Sequence, residues 1–180
     1  MSTLTTLLGY ETGQPPKLVR FVPRLRGSEK QRRMLTMTPD LHDWITKPVK
    51  GTALSEVKAN ARVHFGQFVK GEPIDDCRFM KRVEDRRLTP PDFSHEVWSI
   101  SPRFGEPQYR FFGTFVTRDW FLAISKQDRT RLDEHQNRWH DEIDKVLRAW
   151  KSLFGGSLRL SGNSLFEYVS MPAEHCDDRW

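Results

Sequence analysis

The chain has 180 residues, a formal net charge of +5 and two cysteines, with 37% hydrophobic and 12% aromatic residues. This length suits one domain, and the aromatic content can supply a core. Two distant cysteines exclude a disulfide framework, and no run of about 20 apolar residues could span a bilayer. We therefore expect a soluble cytoplasmic protein without a cofactor, whose basic surface suits an acidic partner such as nucleic acid.

Residues 17–83 are expected to contain an edge strand, a basic segment and three helices. Residues 17–24 (KLVRFVPR) predict an edge strand that its proline ends, and RLRGSEKQRR (24–33) is either a solvated loop or an arm that contacts phosphates. Three helices are predicted after this segment, because proline, threonine and glycine stand at their expected ends. Their ranges are 39–45, 52–70 and 73–83.

The second half predicts three strands and one long helix. Short connections join strands at 96–101, 108–117 and 119–125, so antiparallel pairing is expected. The segment 130–154 has a strong apolar stripe at helical spacing, and a hairpin should follow around Gly162-Asn163.

The predicted fold class is α+β. A small antiparallel sheet packs against two N-terminal helices and a long C-terminal amphipathic helix, within a single domain at 17–170. Residues 1–16 are expected to be flexible, and 171–180 form an acidic, loose tail.

Cationic residues recur at the ends of the predicted strands. Because neighbouring strand ends meet at one rim of a sheet, these side chains would form a surface that attracts phosphate. The alternative is a set of ordinary solvent-exposed cations. The residues concerned are Arg103, Arg110, Lys126, Arg129 and Arg131.

Metal-independent RNA cleavage requires a base for the 2′-hydroxyl, cations around the phosphate, and an acid for the 5′-oxygen. Arg110 and Lys126 are expected to clamp the phosphate, because the arginine fork matches its oxygens. His95, Tyr109 or Lys126 would transfer protons, with His95 best suited to neutral pH. The predicted catalytic set is Arg110, Lys126, Arg129, His95 and Tyr109.

A second basic region lies near the N-terminus. In a non-catalytic protein its arginines would bind nucleic-acid phosphates, with an affinity that falls steeply as salt rises. The predicted contacts are Arg20, Arg24, Arg26, Arg32 and Arg33.

Other functional motifs are not evident. The sequence has no phosphate-binding glycine loop, no H-E-x-x-H and no paired C-x-x-C. His135 and His140 are five positions apart, so they do not form a metal-binding pair on one helix face. Cys77 is expected in the core, and His175 with Cys176 offers only a weak adventitious metal site.

Three strand motifs resemble those of a known family. VWSI (97–100) corresponds to a strand of the lWElR type, YRF (109–111) to a yRv strand, and ISK (124–126), followed by Arg129, to a strand ending in F.KK. Over 52–131 this order is similar to the RelE/ParE toxin superfamily, in particular its phage-derived HigB-like branch.

The resemblance implies a toxin-like endoribonuclease. RelE and HigB members cleave mRNA, usually on the ribosome, and a small antitoxin protein neutralises them, whereas ParE members poison gyrase. The implied partners are therefore RNA or the ribosome, and an antitoxin. The family's paired lysines are reduced here to Lys126 and a displaced Arg129.

Two alternatives remain open. The chain could be a non-catalytic nucleic-acid-binding or phage-encoded accessory protein. It could also be a protein-interaction module that docks a partner on the helix carrying Trp139 and Trp150, unless that apolar stripe is buried on the sheet.

Overall fold

The computed structural model describes residues 7, 17–49, 51–73, 79–102, 107–135, 137–157 and 159–170. Its elements in chain order are β1 (Val19–Arg20), β2 (Met34–Met37), α1 (Pro39–Thr46), α2 (Thr52–Lys70), β3 (Met80–Arg82), β4 (Trp98–Ile100), β5 (Tyr109–Thr117), β6 (Trp120–Asp128), α3 (Arg129–Glu134), α4 (Asn137–Phe154) and α5 (Leu165–Tyr168). The strands form one sheet in the order β1-β2-β6-β5-β4-β3. Strands β2 and β6 are parallel, and the other neighbouring pairs are antiparallel.

Helices cover both faces of this sheet. On one face, which we call the α2 face, residues of α1 and α2 such as Ile45 and Phe65 pack against Phe111. On the other, the α4 face, Ile143 and Val146 pack against Phe112 and other sheet residues. Successive strand residues point to opposite faces, so each long strand contributes to both clusters.

The helices on the α2 face were predicted with nearly correct bounds. Pro39 opens α1, where its missing N–H is not needed. Gly71 ends α2 in the left-handed conformation at φ 78°, and its N–H donates to the carbonyls of Gln67 and Phe68.

The β5–β6 hairpin is also close to the prediction. Its strands, Tyr109–Thr117 and Trp120–Asp128, are antiparallel, and Asp119 in the turn has a φ of 63°. Aspartate tolerates this conformation better than most residues with a side chain.

The predicted sheet is wrong in size and topology. It has six strands and is mixed, because β2 adds to β6 in parallel, with Leu35 opposite Phe121. Strand β2 was missed since four residues that pair with a sequence-distant strand leave little local pattern. The edge strand expected over 17–24 is reduced to Val19–Arg20.

The predicted helices of the remaining chain are also wrong. Part of the segment 73–83 is strand β3, and residues 74–78, which include Cys77, lie outside the described residues. The single C-terminal helix is divided into α3 and α4, and His135 between them is extended at φ −140° and ψ 103°. An apolar stripe at helical spacing can continue across such a break, so periodicity did not reveal it.

The C-terminal hairpin is not found in the described residues 159–170, which contain the short helix α5. The flexible N-terminus and the acidic tail, with His175 and Cys176, fall outside the described residues except for Leu7. None of the helices in the described ranges combines the length and apolar composition needed to cross a membrane.

Candidate functional site

Arg110 is a half-buried cation on strand β5. It donates to Ser101 Oγ, and its guanidinium carbon lies 6.0 Å from the centre of the Trp139 ring on α4. Burial lowers the pKa of Arg110, and the nearby charge of Arg129 lowers it further. The carboxylate of Asp133 acts in the opposite direction, but within the described chain no carboxylate lies within ion-pair distance of Arg110, so its charge is only partly compensated.

The side chain of Arg110 lines a cavity of about 600 Å³ at the β3 edge of the sheet. We call this cavity the strand-edge pocket. Its lining residues are Lys81, Arg82, Val83, Glu84, Arg86, Phe93, Ser99, Arg110, Leu132, Asp133, Trp139 and His140.

Some charges of the strand-edge pocket are compensated and others are not. Glu84 pairs with Arg86 at 2.9 Å, and Asp133 pairs with Arg129 at 3.3 Å. Exposed Lys81, like Arg110, makes no ion pair within the described ranges. The two cations without carboxylate partners therefore give the pocket its anion-attracting character.

A charged network lies beside this pocket and is centred on Asp85, whose side chain is 2% exposed. Arg87 donates to Asp85 at 2.8 Å and to Asp144 of α4 at 2.9 Å. These hydrogen bonds hold the pKa of Asp85 well below its ordinary value. The network fixes the loop before β4 to helix α4.

Two histidines also approach Asp85. The Nε2 atom of His95 lies 3.1 Å from Asp85 Oδ2, and Nε2 of His140 lies 4.0 Å from Asp85 Oδ1. His140 lines the strand-edge pocket, whereas His95 does not. His95, the predicted proton-transfer residue, therefore contacts Asp85 without lining the pocket. His140 is the histidine that lines it.

Lys126 lies on the α2 face, away from Arg110. Its ammonium nitrogen is 4.5 Å from the centre of the Trp44 ring and 5.5 Å from that of Tyr109. Lys58 approaches the same Trp44 ring at 5.1 Å. Burial is the main cause of the lowered pKa of Lys126, and it likewise raises the pKa of Tyr109.

Arg129 and Arg131 lie on α3 and are exposed. Arg129 donates to Gln108 Oε1 at 3.0 Å in addition to its ion pair with Asp133. The predicted catalytic set is therefore not assembled in one place: Arg110 lines the pocket, His95 and Arg129 lie close to it, and Lys126 and Tyr109 are on the other face. Arg103 lies outside the described residues.

The N-terminal arginines are distributed over two concave surfaces. Arg20, Arg32 and Arg33 line one cavity of about 320 Å³, and Arg24 and Arg26 line another. Only Arg33 is buried: it lies 3.6 Å from Asp119 and donates to the Glu72 carbonyl at 3.1 Å. Arg33 therefore has a clear structural role.

Sequence reasoning missed the pocket's Lys81 and His140. Lys81 falls in the predicted helix 73–83, part of which is strand β3, and His140 was considered only together with His135 as a metal-binding pair. The charge-dense run KRVEDRR (81–87) is the sequence signal that could have indicated this edge. No group of three or more metal-ligating side chains occurs within the described ranges.

A scan against models of protein families found no match, and searches of curated proteins and of solved structures found none either. The resemblance to the RelE/ParE superfamily therefore rests on the strand motifs alone and stays a prediction.

Proposed function

We propose that the strand-edge pocket binds the phosphate backbone of single-stranded nucleic acid. The observation that carries this proposal is the half-buried guanidinium of Arg110, which has one neutral hydrogen-bond partner and no carboxylate partner in the described chain. A buried charge without a counter-charge is unfavourable, and a bound phosphate would supply one.

The surroundings of Arg110 favour a polymeric anion over a single small one. The cavity of about 600 Å³ is larger than one phosphate needs, and exposed Lys81 adds to its lining a second positive charge without a carboxylate partner in the described chain. Phe93 and Trp139 supply aromatic surfaces in the same lining. Cations that follow the backbone together with aromatic side chains are typical of sites for single-stranded nucleic acid.

Fluorescence anisotropy with a labelled oligouridine of about 12 nucleotides tests the proposal. We expect Arg110→Gln to weaken binding about tenfold and Lys81→Gln severalfold, and each to reduce the dependence on salt. Lys151→Gln, at an exposed position of α4 outside the pocket, is the control with the same change of charge. Equal losses in Arg110→Gln and Lys151→Gln would show that only net charge matters.

Cleavage of the bound RNA is a second candidate function, because His140 lines the same cavity as Arg110 and has Asp85 behind it. In this reaction His140 accepts the 2′-hydroxyl proton, the 2′-oxygen bonds to phosphorus, and the bond to the 5′-oxygen breaks. Protonated His140 then returns this proton to the 5′-oxygen, and Arg110 stabilises the phosphorane charge. The toxin resemblance implies the same activity. In this proposal, however, Lys126 takes no part in it, because Lys126 does not line the pocket.

Incubation of RNA with the protein and excess chelator tests cleavage separately from binding. The expected products carry 2′,3′-cyclic phosphate and 5′-hydroxyl ends, and DNA of the same sequence stays intact, because it has no 2′-hydroxyl. His140→Gln should abolish cleavage and retain most of the oligouridine affinity. RNA that binds but is not cut would leave the chain as a binding protein.

A further inference from the structure

A groove separate from the strand-edge pocket runs between helix α2 and the segment that follows β1. Its cavity is about 840 Å³, and it shares no lining residue with the strand-edge pocket. We call it the α2 groove. Its lining combines polar and charged side chains with an apolar part made by Val22, Pro23, Ala59, Val63 and Gly66.

Two exposed large hydrophobic residues of the described chain line the α2 groove, and a third is close to them in sequence. Val22 is 69% exposed and Val63 57% exposed, and Leu25, between two groove arginines in the chain, is 42% exposed. They are three of the four large hydrophobic residues that are exposed in the described chain; Phe166 is the fourth. Scattered exposed residues need no explanation, but a group of them in a concave site marks a binding surface.

The charge around the α2 groove is positive. Glu29 and Glu72 both lie near Lys70, at 2.8 Å and 3.8 Å. Arg24, Arg26 and Arg62 also line the groove, and within the described ranges none of the three has an ion pair with a carboxylate. Arg62 instead donates to the Ile45 carbonyl at 2.7 Å. An occupant of this site therefore gains from negative charge at its margins.

The apolar part of the lining favours a protein over a nucleic acid. Its exposed surface comes mainly from valines, and Phe21, the one Phe, Tyr or Trp among the lining residues that the structure describes, is 6% exposed. Exposed valines offer no planar surface on which a base can stack, whereas aliphatic grooves receive the leucine-type side chains of amphipathic helices. The groove residues on α2 run from Ala59 to Lys70, about three helical turns that form one wall.

We propose that the α2 groove docks an acidic amphipathic helix of a partner protein. Apolar side chains at i, i+3, i+4 and i+7 of that helix contact Val22 and Val63, and its flanking carboxylates pair with Arg24, Arg26 and Arg62. This inference does not depend on nucleic-acid binding at the strand-edge pocket, because the two surfaces have separate linings.

The test uses the full chain and a fluorescent model peptide of about 18 residues, with leucine at the helical stripe and glutamate on its flanks. A matched peptide carries lysine in place of glutamate. We expect the glutamate peptide to bind at least tenfold more tightly than the lysine peptide. Val63→Asp, a change at an exposed position, should weaken it about tenfold, and Phe166→Ser, at the exposed apolar residue outside the groove, should leave it unchanged.

Three results would overturn the proposal. The first is an absence of binding up to about 1 mM glutamate peptide. The second is equal affinity for both peptides, or for the wild type and Val63→Asp. The third is an oligouridine affinity that falls in Val63→Asp by as much as the peptide affinity, which would assign the groove to nucleic acid. Circular dichroism of each variant verifies that the fold is retained.

Discussion

Arg110 and Lys126 lie on opposite faces of the sheet, although their strands are hydrogen-bonded neighbours. Arg110 is opposite Gln127 in the register, and Lys126 is opposite Phe111. Side chains of directly opposed residues share a face, and successive residues alternate. The two cations that the sequence predicted as one phosphate clamp are therefore separated by the thickness of the sheet.

This separation predicts independent effects of the two cations on nucleic-acid binding. Arg110→Gln should weaken oligouridine binding about tenfold, and Lys126→Gln should change it by less than about twofold, because Lys126 does not line the strand-edge pocket. The double variant should match Arg110→Gln alone, as expected for distant sites in a mutant cycle. A loss in Lys126→Gln as large as that in Arg110→Gln would contradict the assignment of the pocket.

The sequence identified the β5 and β6 segments but not the faces of their side chains. Strand identity follows from aromatic and β-branched composition, which is local. A shift of register by one residue moves every side chain to the other face, and β5 and β6 shift register between Phe112 and Gly113. Only the complete pairing of the strands therefore decides where Arg110 and Lys126 point.

The C-terminal segment contains a sequence motif for a helix start that the sequence-based prediction did not use. Ser164 and Glu167 form the S-x-x-E capping box at the start of α5, and Glu167 Oε1 accepts from the Ser164 N–H at 3.2 Å. Gly162-Asn163 suggested a hairpin turn instead. The parallel β2–β6 pairing had no such local signal, because it depends on how the helices cover the sheet.

Asp85 should contribute stability that depends on pH. Hydrogen bonds from Arg87 lower its pKa, so its contribution is fully present above the unfolded-state pKa of about 4 and is lost as pH falls toward the folded-state value. At pH 7, Asp85→Asn should lower the free energy of unfolding by about 2 kcal/mol. In urea titrations this difference should shrink between about pH 5 and pH 3.

The matched control for Asp85 is Asp141→Asn, at an exposed position of α4. Surface changes of this kind usually stay within about 0.5 kcal/mol, so little effect is expected at either pH. A difference between wild type and Asp85→Asn that is the same at pH 7 and pH 3 would be inconsistent with an ionic role for Asp85.

Tyr168 anchors the C-terminal segment to the sheet. Its hydroxyl donates to Glu96 Oε2 at 2.5 Å and accepts from Arg82 at 3.1 Å. Burial and the adjacent Glu96 carboxylate raise the pKa of Tyr168, so the phenol is the proton donor. Tyr168→Phe leaves the buried Glu96 with one partner fewer and should lower the free energy of unfolding by about 1–3 kcal/mol.

Chemical denaturation of Tyr168→Phe and of Phe166→Ser provides this measurement. Phe166 is in the same short helix but is 49% exposed, so its replacement should cost less than about 0.5 kcal/mol. If both variants lost the same stability, the effect would reflect the helix and not the buried hydroxyl.

Gly113 is required by the close approach of β5 to β6. A Cβ atom at this position would lie 2.0 Å from the Leu122 carbonyl oxygen and 2.7 Å from the Phe121 ring. The nearest atom is backbone, so it cannot rotate away, and Gly113→Ala must displace the pairing beside the register shift. We expect a loss of roughly 1–3 kcal/mol, the usual cost of overpacking.

Gly66, in contrast to Gly113, has room for a Cβ atom. It lies inside α2, where an added Cβ would meet the Pro23 Cβ at 3.5 Å, an ordinary contact. Gly66→Ala should therefore raise the free energy of unfolding by roughly 0.5–1 kcal/mol, because alanine loses less backbone entropy in a helix. Thermal and urea unfolding of both variants measures the contrast. A neutral Gly113→Ala would mean that β5 and β6 do not approach as closely as this register requires.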